Sequence, residues 1–144
     1  MKKYCFTAFL FLCLLTSACH KKLITQPVES IPKTEEVKVD AGADLSATGA
    51  AYRIDSIGIV GDVLFVFVNY SGGCNEHSFE LISNGKYAKS LPPQLSLCLK
   101  HSNNGDMCKK LVSQELKFDI SKIKYQASKA LEIKLGDKSI NYNY

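Results

Sequence analysis

Two cysteines and two histidines are spaced in a way that could bind a metal ion. Cys74 and His77 are separated by two residues, and His101 and Cys108 by six. Thiolate sulfur and imidazole nitrogen are ligands that zinc and copper prefer in proteins. The same residues could instead be structural, because two cysteines can form a disulfide and a buried imidazole can donate to a backbone carbonyl.

Three of the six cysteines lie beyond the N-terminal segment, namely Cys74, Cys98 and Cys108. In an oxidising compartment, three thiols permit one disulfide and one free thiol. Cys98 lies between two leucines in a predicted strand, which favours a buried and inert thiol. If His101 and Cys108 flank the loop of a hairpin, Cys98 faces a residue near Leu111 instead of Cys108. Cys74 and Cys108 lie where loops meet strands and the backbone can adapt, so we predict that they form the disulfide.

The first eighteen residues have the three parts of an export signal. Two lysines begin the chain, residues 4–15 are apolar, and residues 16–18 are small or polar and precede Cys19. An apolar stretch of this length is too short to span a bilayer, which takes roughly 20 residues. A cysteine directly after such residues resembles the lipobox of bacterial lipoproteins. We therefore predict a signal peptide over residues 1–18 and a lipidated Cys19.

The predicted lipid would attach the protein to the outer membrane, facing the periplasm. Attachment to the inner membrane is one alternative, and plain secretion with Cys19 as an ordinary thiol is another. Residues 19–50 are rich in charged and small side chains. Such a segment buries too little apolar surface to offset its ordering entropy, so we predict that it is a flexible tether.

Residues 51–144 are predicted to form one small all-β domain. β-branched and aromatic residues alternate with polar ones in short runs that turn signals separate. A turn is predicted at Asn84-Gly85 and a single helical turn near Cys108. The pattern predicts an antiparallel β-sandwich of about seven strands with immunoglobulin-like architecture. The predicted strands lie near residues 52–57, 63–70, 77–82, 95–101, 111–120, 130–135 and 138–144.

The strand pattern predicts that the four chemically interesting residues converge. His77 begins one predicted strand and His101 ends another. If these strands are antiparallel, both histidines lie at the same end of the sandwich, with Cys74 and Cys108 beside them. Three arrangements are then open: a disulfide with two hydrogen-bonded histidines, a two-histidine metal contact, or a four-ligand site for zinc or copper.

Two stretches of the sequence resemble NigD-like lipoproteins of Gram-negative anaerobes. The first is Tyr70-Ser-Gly-Gly-Cys-Asn-Glu-His-Ser-Phe-Glu-Leu81, and the second lies between Leu97 and Ile120. The resemblance covers residues 52–135 and implies a C-terminal β-sandwich with both cysteines and both histidines in matching positions. Members of this family often carry an additional OB-like N-terminal domain, for which residues 20–50 are too few and too polar. The second stretch contains Leu97, Leu99, His101, Asn103, Asp106, Cys108 and 116–120.

Composition and motifs argue against nucleic-acid binding and against catalysis. The chain has 18 basic and 14 acidic residues, and removal of Lys2 and Lys3 with the signal leaves a net charge of only +2. Basic residues are not interleaved with aromatic ones as in nucleic-acid-binding surfaces. The sequence contains no Ser-His-Asp arrangement, phosphate-binding glycine loop or paired-carboxylate motif. We therefore predict that the protein is not an enzyme and needs no cofactor.

The remaining prediction is a membrane-anchored binding or accessory module of the cell envelope. Its partners would be the lipid bilayer, through acylated Cys19, and an envelope protein. The polar loop that contains Asn103, Asn104 and Asp106 is the predicted binding surface. The alternative function is metal- or iron-related binding or sensing through His77 and His101.

Overall fold

A computed structural model of the protein describes residues 33–144. Nine β-strands and one turn of 3-10 helix, Ser121–Ile123, make up this part of the chain. The strands are β1 (Thr34–Glu36), β2 (Lys38–Val39), β3 (Tyr52–Val60), β4 (Val63–Gly72), β5 (Ser78–Ala88), β6 (Gln94–Ser102), β7 (Lys110–Asp119), β8 (Ala130–Leu135) and β9 (Lys138–Asn143).

The strands form two sheets that pack as a sandwich. The first sheet has the order β1-β7-β4-β3, and the second has the order β2-β5-β6-β8-β9. The prediction of an all-β sandwich is confirmed. Two short strands are added to the seven that the sequence predicts. Three pairs, β1–β7, β2–β5 and β6–β8, are parallel, whereas the sequence predicts only antiparallel pairs.

The core lies between the sheets and follows the two-residue period of the strands. In β4, Leu64, Val66 and Val68 are buried, while the side chains between them point away from the core. Successive side chains of a strand point to opposite faces, so one face of each sheet is covered by the other sheet. Burying one such side chain contributes about 1.5–3 kcal/mol.

The predicted tether is wrong for residues 33–50. Within it, β1 joins the first sheet and β2 joins the second, and Val37 between them is only 3% exposed. These residues are ordered by backbone pairing with strand edges, which polar side chains permit and which composition does not reveal. The predicted signal peptide, the lipidated Cys19 and residues 19–32 lie outside the described residues.

Two local predictions are also wrong. β5 continues through Asn84-Gly85, where the register against β6 shifts and Gly85 has a φ of 67°. The two residues therefore form an irregularity within the strand instead of a turn that ends it. The predicted helical turn at Cys108 is absent. Within residues 33–144, no helix is long and apolar enough to cross a membrane.

The chain crosses between the sheets twice at one end of the sandwich. The β4–β5 connection, residues 73–77, and the β6–β7 connection, residues 103–109, lie together at this end. We call this end, residues 72–78 and 102–110, the disulfide pole. β6 and β7 belong to different sheets, so His101 and Cys108 do not flank the loop of a hairpin, which was one of the alternatives the sequence left open.

Candidate functional site

A disulfide joins the two crossing connections at the disulfide pole. Cys74 of the β4–β5 connection is bonded to Cys108 of the β6–β7 connection, with Cα atoms 5.9 Å apart. This is the pairing that the sequence predicts. Cys98 is a free thiol that is 3% exposed, and burial raises its pKa, so it is poorly reactive.

Asp106 is the hydrogen-bond centre of the pole. Its Oδ2 accepts from the backbone N–H groups of Cys74 and Asn75, both at 2.9 Å, and its Oδ1 accepts from that of Cys108 at 2.8 Å. Oδ2 also lies 3.2 Å from Nε2 of His77. The side chain is 0% exposed. The N–H of Asn75, followed by those of Cys108 and Cys74, holds the pKa of the Asp106 carboxyl well below its usual range.

The two histidines extend this network into the sandwich. His77 Nδ1 lies 2.8 Å from His101 Nε2, and His101 Nδ1 lies 3.1 Å from the carbonyl oxygen of Ala50. Asp106 at one end and the carbonyl at the other are acceptors only. The three contacts therefore need three ring protons, one more than two neutral imidazoles carry.

The groups around each imidazole ring indicate which histidine carries the third proton. Burial lowers the pKa of His101, and the carboxylate of Asp106 lies beside His77. We infer that His101 is neutral and donates from Nδ1 to Ala50. His77 then donates from both nitrogens, one to Asp106 and one to His101. Its positive charge is balanced by the Asp106 carboxylate, as burial requires.

Aromatic rings enclose the histidine pair. Tyr70 stacks on His77 with ring centroids 4.4 Å apart, and Phe79 stacks on His101 at 4.3 Å. The Tyr70 hydroxyl donates to Gln114 at 2.8 Å, so its polar end is also satisfied. The histidines are only 8% and 4% exposed. This packing holds both imidazoles in one orientation and keeps bulk water away from them.

Gly72 is required for the contact between His77 and Asp106. A Cβ atom at this position would lie 2.6 Å from Nε2 of His77 and 3.1 Å from Oδ2 of Asp106. Both distances are shorter than ordinary van der Waals contact. The glycine therefore lets the β4 backbone approach the ion pair closely.

The predicted binding loop is wrong for Asp106, because that carboxylate is buried and bonded within the protein. Asn103 also bonds within the loop, accepting from the N–H of Gly105. Asn104 is exposed, with a φ of 48°, and its side chain donates to the carbonyl of Glu76 at 2.7 Å. The loop is thus fixed to the neighbouring connection, and of the three predicted residues only Asn104 is exposed to solvent.

Comparison with family models identifies the family of this chain. The model of the NigD-like C-terminal beta sandwich domain matches residues 43–144. The chain belongs to the NigD-like family. No curated protein matches the chain.

Two solved structures show the same NigD-like fold. A NigD-like immunity protein from Bacteroides caccae superposes with a TM-score of 0.53 and 17% identity over 76% of this chain and 58% of its own. A protein of unknown function from Bacteroides vulgatus superposes with a TM-score of 0.52 and 15% identity over 78% of this chain and 56% of its own. The NigD-like chain thus spans just over half the length of each.

The predicted metal ligands lie together in the NigD-like domain, but in a different arrangement from an open metal site. Each of the four imidazole nitrogens of His77 and His101 faces a hydrogen-bond partner. Ligand atoms of Cys74, Cys108 and Asp106 lie within 4.8 Å of one another, but disulfide sulfurs are not thiolate ligands. A two-histidine metal contact stays a prediction, and it would have to break the bond between the rings.

The pole has part of the geometry of a hydrolase site. A buried carboxylate orients a histidine, as in a catalytic triad, but the other nitrogen of His77 faces His101 where a triad has a hydroxyl or thiol.

Asp106 is the residue whose role the sequence did not predict. Its position two residues before Cys108 in a polar loop is a signal for an Asx turn, which the bond to Cys108 N–H forms.

Proposed function

We propose that this NigD-like chain is a lipid-anchored protein of the bacterial envelope whose sandwich binds a partner protein and catalyses no reaction. The observation that carries the proposal is the closed network of Asp106, His77 and His101 beside a bonded pair of cysteines. The two imidazoles, the buried carboxylate and the two cysteines each already have a partner within the protein.

A locked surface suits binding better than it suits catalysis. The disulfide and the Asp106 hydrogen bonds fix two loops against each other, so little ordering entropy is lost when they contact a partner. A catalytic histidine needs access to substrate and a free nitrogen. The His77 side chain is 1% exposed and both of its nitrogens are engaged.

The N-terminal sequence supports the anchoring part of the proposal. The apolar segment and the residues before Cys19 fit a lipoprotein signal, and a disulfide fits an oxidising compartment. An anchored domain encounters membrane-associated partners at a raised effective concentration. The Bacteroides caccae structure is described as that of an immunity protein, and protection by binding would require the same kind of rigid surface.

Metabolic labelling tests the anchor. The full chain would be expressed in a Bacteroides host supplied with an alkyne-tagged fatty acid, next to Cys19→Ser and Cys98→Ser variants. We expect label in the wild type and in Cys98→Ser, and none in Cys19→Ser. Equal label in all three proteins, or in none, would contradict the lipidation at Cys19.

Photo-crosslinking tests the binding part. A photoreactive amino acid would replace exposed Asn104 at the disulfide pole or exposed Lys134 on β8 in the anchored chain. We expect a discrete protein adduct from the Asn104 position and none from the Lys134 position. The absence of an adduct at both, or the same adducts at both, would count against a protein-binding pole.

A further inference from the structure

β1 covers only the last part of one edge of β7. It pairs in parallel with Lys117–Asp119, whereas β4 pairs with all ten residues of β7 on the other side. Among residues 33–144, no strand lies beside residues 110–116 on the side of β1. Because the pairing is parallel, the chain before Thr34 runs along this stretch if it keeps the direction of β1. The residues before Lys33 lie outside the described part of the chain.

The register of β1 assigns each upstream residue a position on β7. Glu35 lies opposite Phe118, so continuation in the same register puts Ile31 opposite Gln114. Directly opposed residues of neighbouring strands point to the same face of a sheet, and every second residue of a strand shares one face. Phe118 is buried between the sheets. Ile31 in this register therefore points inward.

A cleft with apolar walls lies where Ile31 would point. It has a volume of about 320 Å³ and runs between β7 and the start of β5. Phe79, Leu116 and Phe118 line it and are buried, and Lys33 lies at its rim. An isoleucine side chain in this space is removed from water, which is favourable for any apolar group.

The outward face of the same path also gains an apolar contact. In the register of β1, Val28 lies opposite Leu111. Leu111 is 72% exposed, which is a large fraction for a leucine on a strand. A valine beside it covers part of this apolar surface, since directly opposed side chains on one face of a sheet are in contact.

The two upstream prolines lie at positions that suit this path. The N–H of Val37 donates to the carbonyl of Asp119, and N–H groups alternate in direction along a strand. Every second residue before Val37 then points its N–H towards β7. The nitrogen of Pro32 faces away from β7, where an edge strand tolerates proline. Pro27 has the opposite phase and lacks the N–H that β7 would accept, so it ends the strand.

We propose that residues 28–33 extend β1 along β7, place Ile31 in the cleft and lead the chain out of the domain at the disulfide pole. The occupant of this edge is the chain's own upstream segment. Its covalent link to β1 favours it over a second chain, because the link already holds the segment in the right direction at a high effective concentration. Residues that precede a proline also favour extended backbone, and Ile31 precedes Pro32.

This path sets the reach and the orientation of the domain, a consequence that rests on the proposed lipid at Cys19. It leaves residues 19–27 as the leash, in place of residues 19–33. Nine residues span roughly 30 Å when fully extended. β7 begins at Lys110, within the disulfide pole. The pole therefore faces the membrane, and a partner of the pole is contacted close to the bilayer.

Hydrogen exchange of backbone amides tests the extended strand. The protein is the predicted mature chain, residues 19–144, with Cys19→Ser so that no lipid is attached. Since Asp119 points its carbonyl to β1, Ser113 and Glu115 point their N–H groups to the same edge. We expect these two amides to exchange slowly at every protein concentration. Fast exchange would overturn the proposal, and protection that rises with protein concentration would overturn it in favour of a second copy.

Two variants with the same added charge identify the segment. Ile31→Asp puts a carboxylate into the cleft, which is costly, whereas Ser30→Asp puts it on the outward face. We expect exchange at Ser113 and Glu115 to be at least about tenfold faster in Ile31→Asp and nearly unchanged in Ser30→Asp. The amide of Gln114, which points to β4, is the internal reference and should exchange alike in all three proteins. Equal exchange at the edge in all three, or equal acceleration in both variants, would overturn the proposal.

The outcome is separate from that of the anchoring experiment. Because the exchange measurements use a chain without lipid, a failure to label Cys19 leaves the extended strand intact. Fast exchange along β7 in turn leaves the lipid anchor intact and removes only the short leash.

Discussion

His77 Nδ1 at the disulfide pole lies 2.8 Å from Nε2 of His101, the next-to-last residue of β6. This bond links the Asp106 carboxylate to the backbone at Ala50 through two imidazole rings. Because both ends of the series accept hydrogen bonds, the two rings together hold three protons. With three protons, His77 and Asp106 form a buried pair of opposite charge that joins the two crossing connections.

Replacement of Gly72 by alanine should destabilise the protein. The new Cβ would lie 2.6 Å from His77 Nε2 and force the ion pair with Asp106 apart. We expect a loss of about 1–3 kcal/mol in the free energy of unfolding, as for other overpacked sites. Gly58→Ala is the control, since a Cβ there has nothing within 4 Å. Urea unfolding of both variants measures the difference, and equal stabilities would contradict the prediction.

Removal of the disulfide should cost more than removal of the buried free thiol. The bond between Cys74 and Cys108 joins residues 34 apart in sequence. A loop of this size corresponds to about 3–4 kcal/mol of stabilisation. The Cys74→Ala/Cys108→Ala double variant should lose that amount in urea unfolding, and Cys98→Ala should lose about 1 kcal/mol. A double variant as stable as Cys98→Ala would refute a structural role for the bond.

The stabilising effect of Asp106 should disappear in acid. Its pKa in the folded protein is lowered by backbone N–H groups from the ordinary value of 3.8. As the pH is lowered, the carboxyl of Asp106 therefore takes up a proton at a higher pH in the unfolded chain than in the folded protein. The stability that the ionised Asp106 contributes is complete above pH 3.8 and is lost as the pH falls further.

The Asp106→Asn variant isolates this effect. An amide group places donors where the carboxylate accepts N–H bonds, so the variant should be less stable than the wild type at neutral pH. The difference between the two proteins should narrow as the pH is lowered below about 4. Thermal melts of both proteins across this range give the comparison. A difference that does not change with pH would show that Asp106 is not ionised in the folded state.

Removal of metal should leave the stability unchanged. The nitrogens of His77 and His101 are engaged with each other, with Asp106 and with Ala50, so the fold does not need an ion at this position. We expect the same melting temperature with excess EDTA as with added Zn²⁺. A shift of several degrees that His101→Gln abolishes would support the two-histidine metal contact instead.

The sheet strands could be predicted from the sequence because their side chains obey a two-residue period. The same reasoning placed His77 and His101 at one end of the sandwich, since it needed only the antiparallel pairing of β5 with β6. Cys74 and Cys108 were paired correctly although the hairpin behind that argument does not exist. Both connections cross between the sheets at the same end, and this brings the two cysteines together.

Other features depend on backbone contacts, which side-chain patterns do not record. β1 and β2 have three and two residues and are held by backbone pairing with sheet edges. Backbone pairing does not require apolar side chains, so the polar composition of these residues is also that of a tether. Asp106 looked like a solvent-exposed loop residue because three of its four partners are backbone N–H groups. These partners become neighbours only after the loops have crossed between the sheets.

Nitrogen-15 NMR of the imidazole rings at neutral pH tests the closed network most directly. We expect three ring N–H protons on the pair, two on His77 and one on Nδ1 of His101, all slow to exchange with water. Two protons in total, or a His77 Nε2 without hydrogen beside the Asp106 carboxylate, would contradict the account. The pole would then contain a histidine with a free nitrogen, and a catalytic or metal-binding role would regain support.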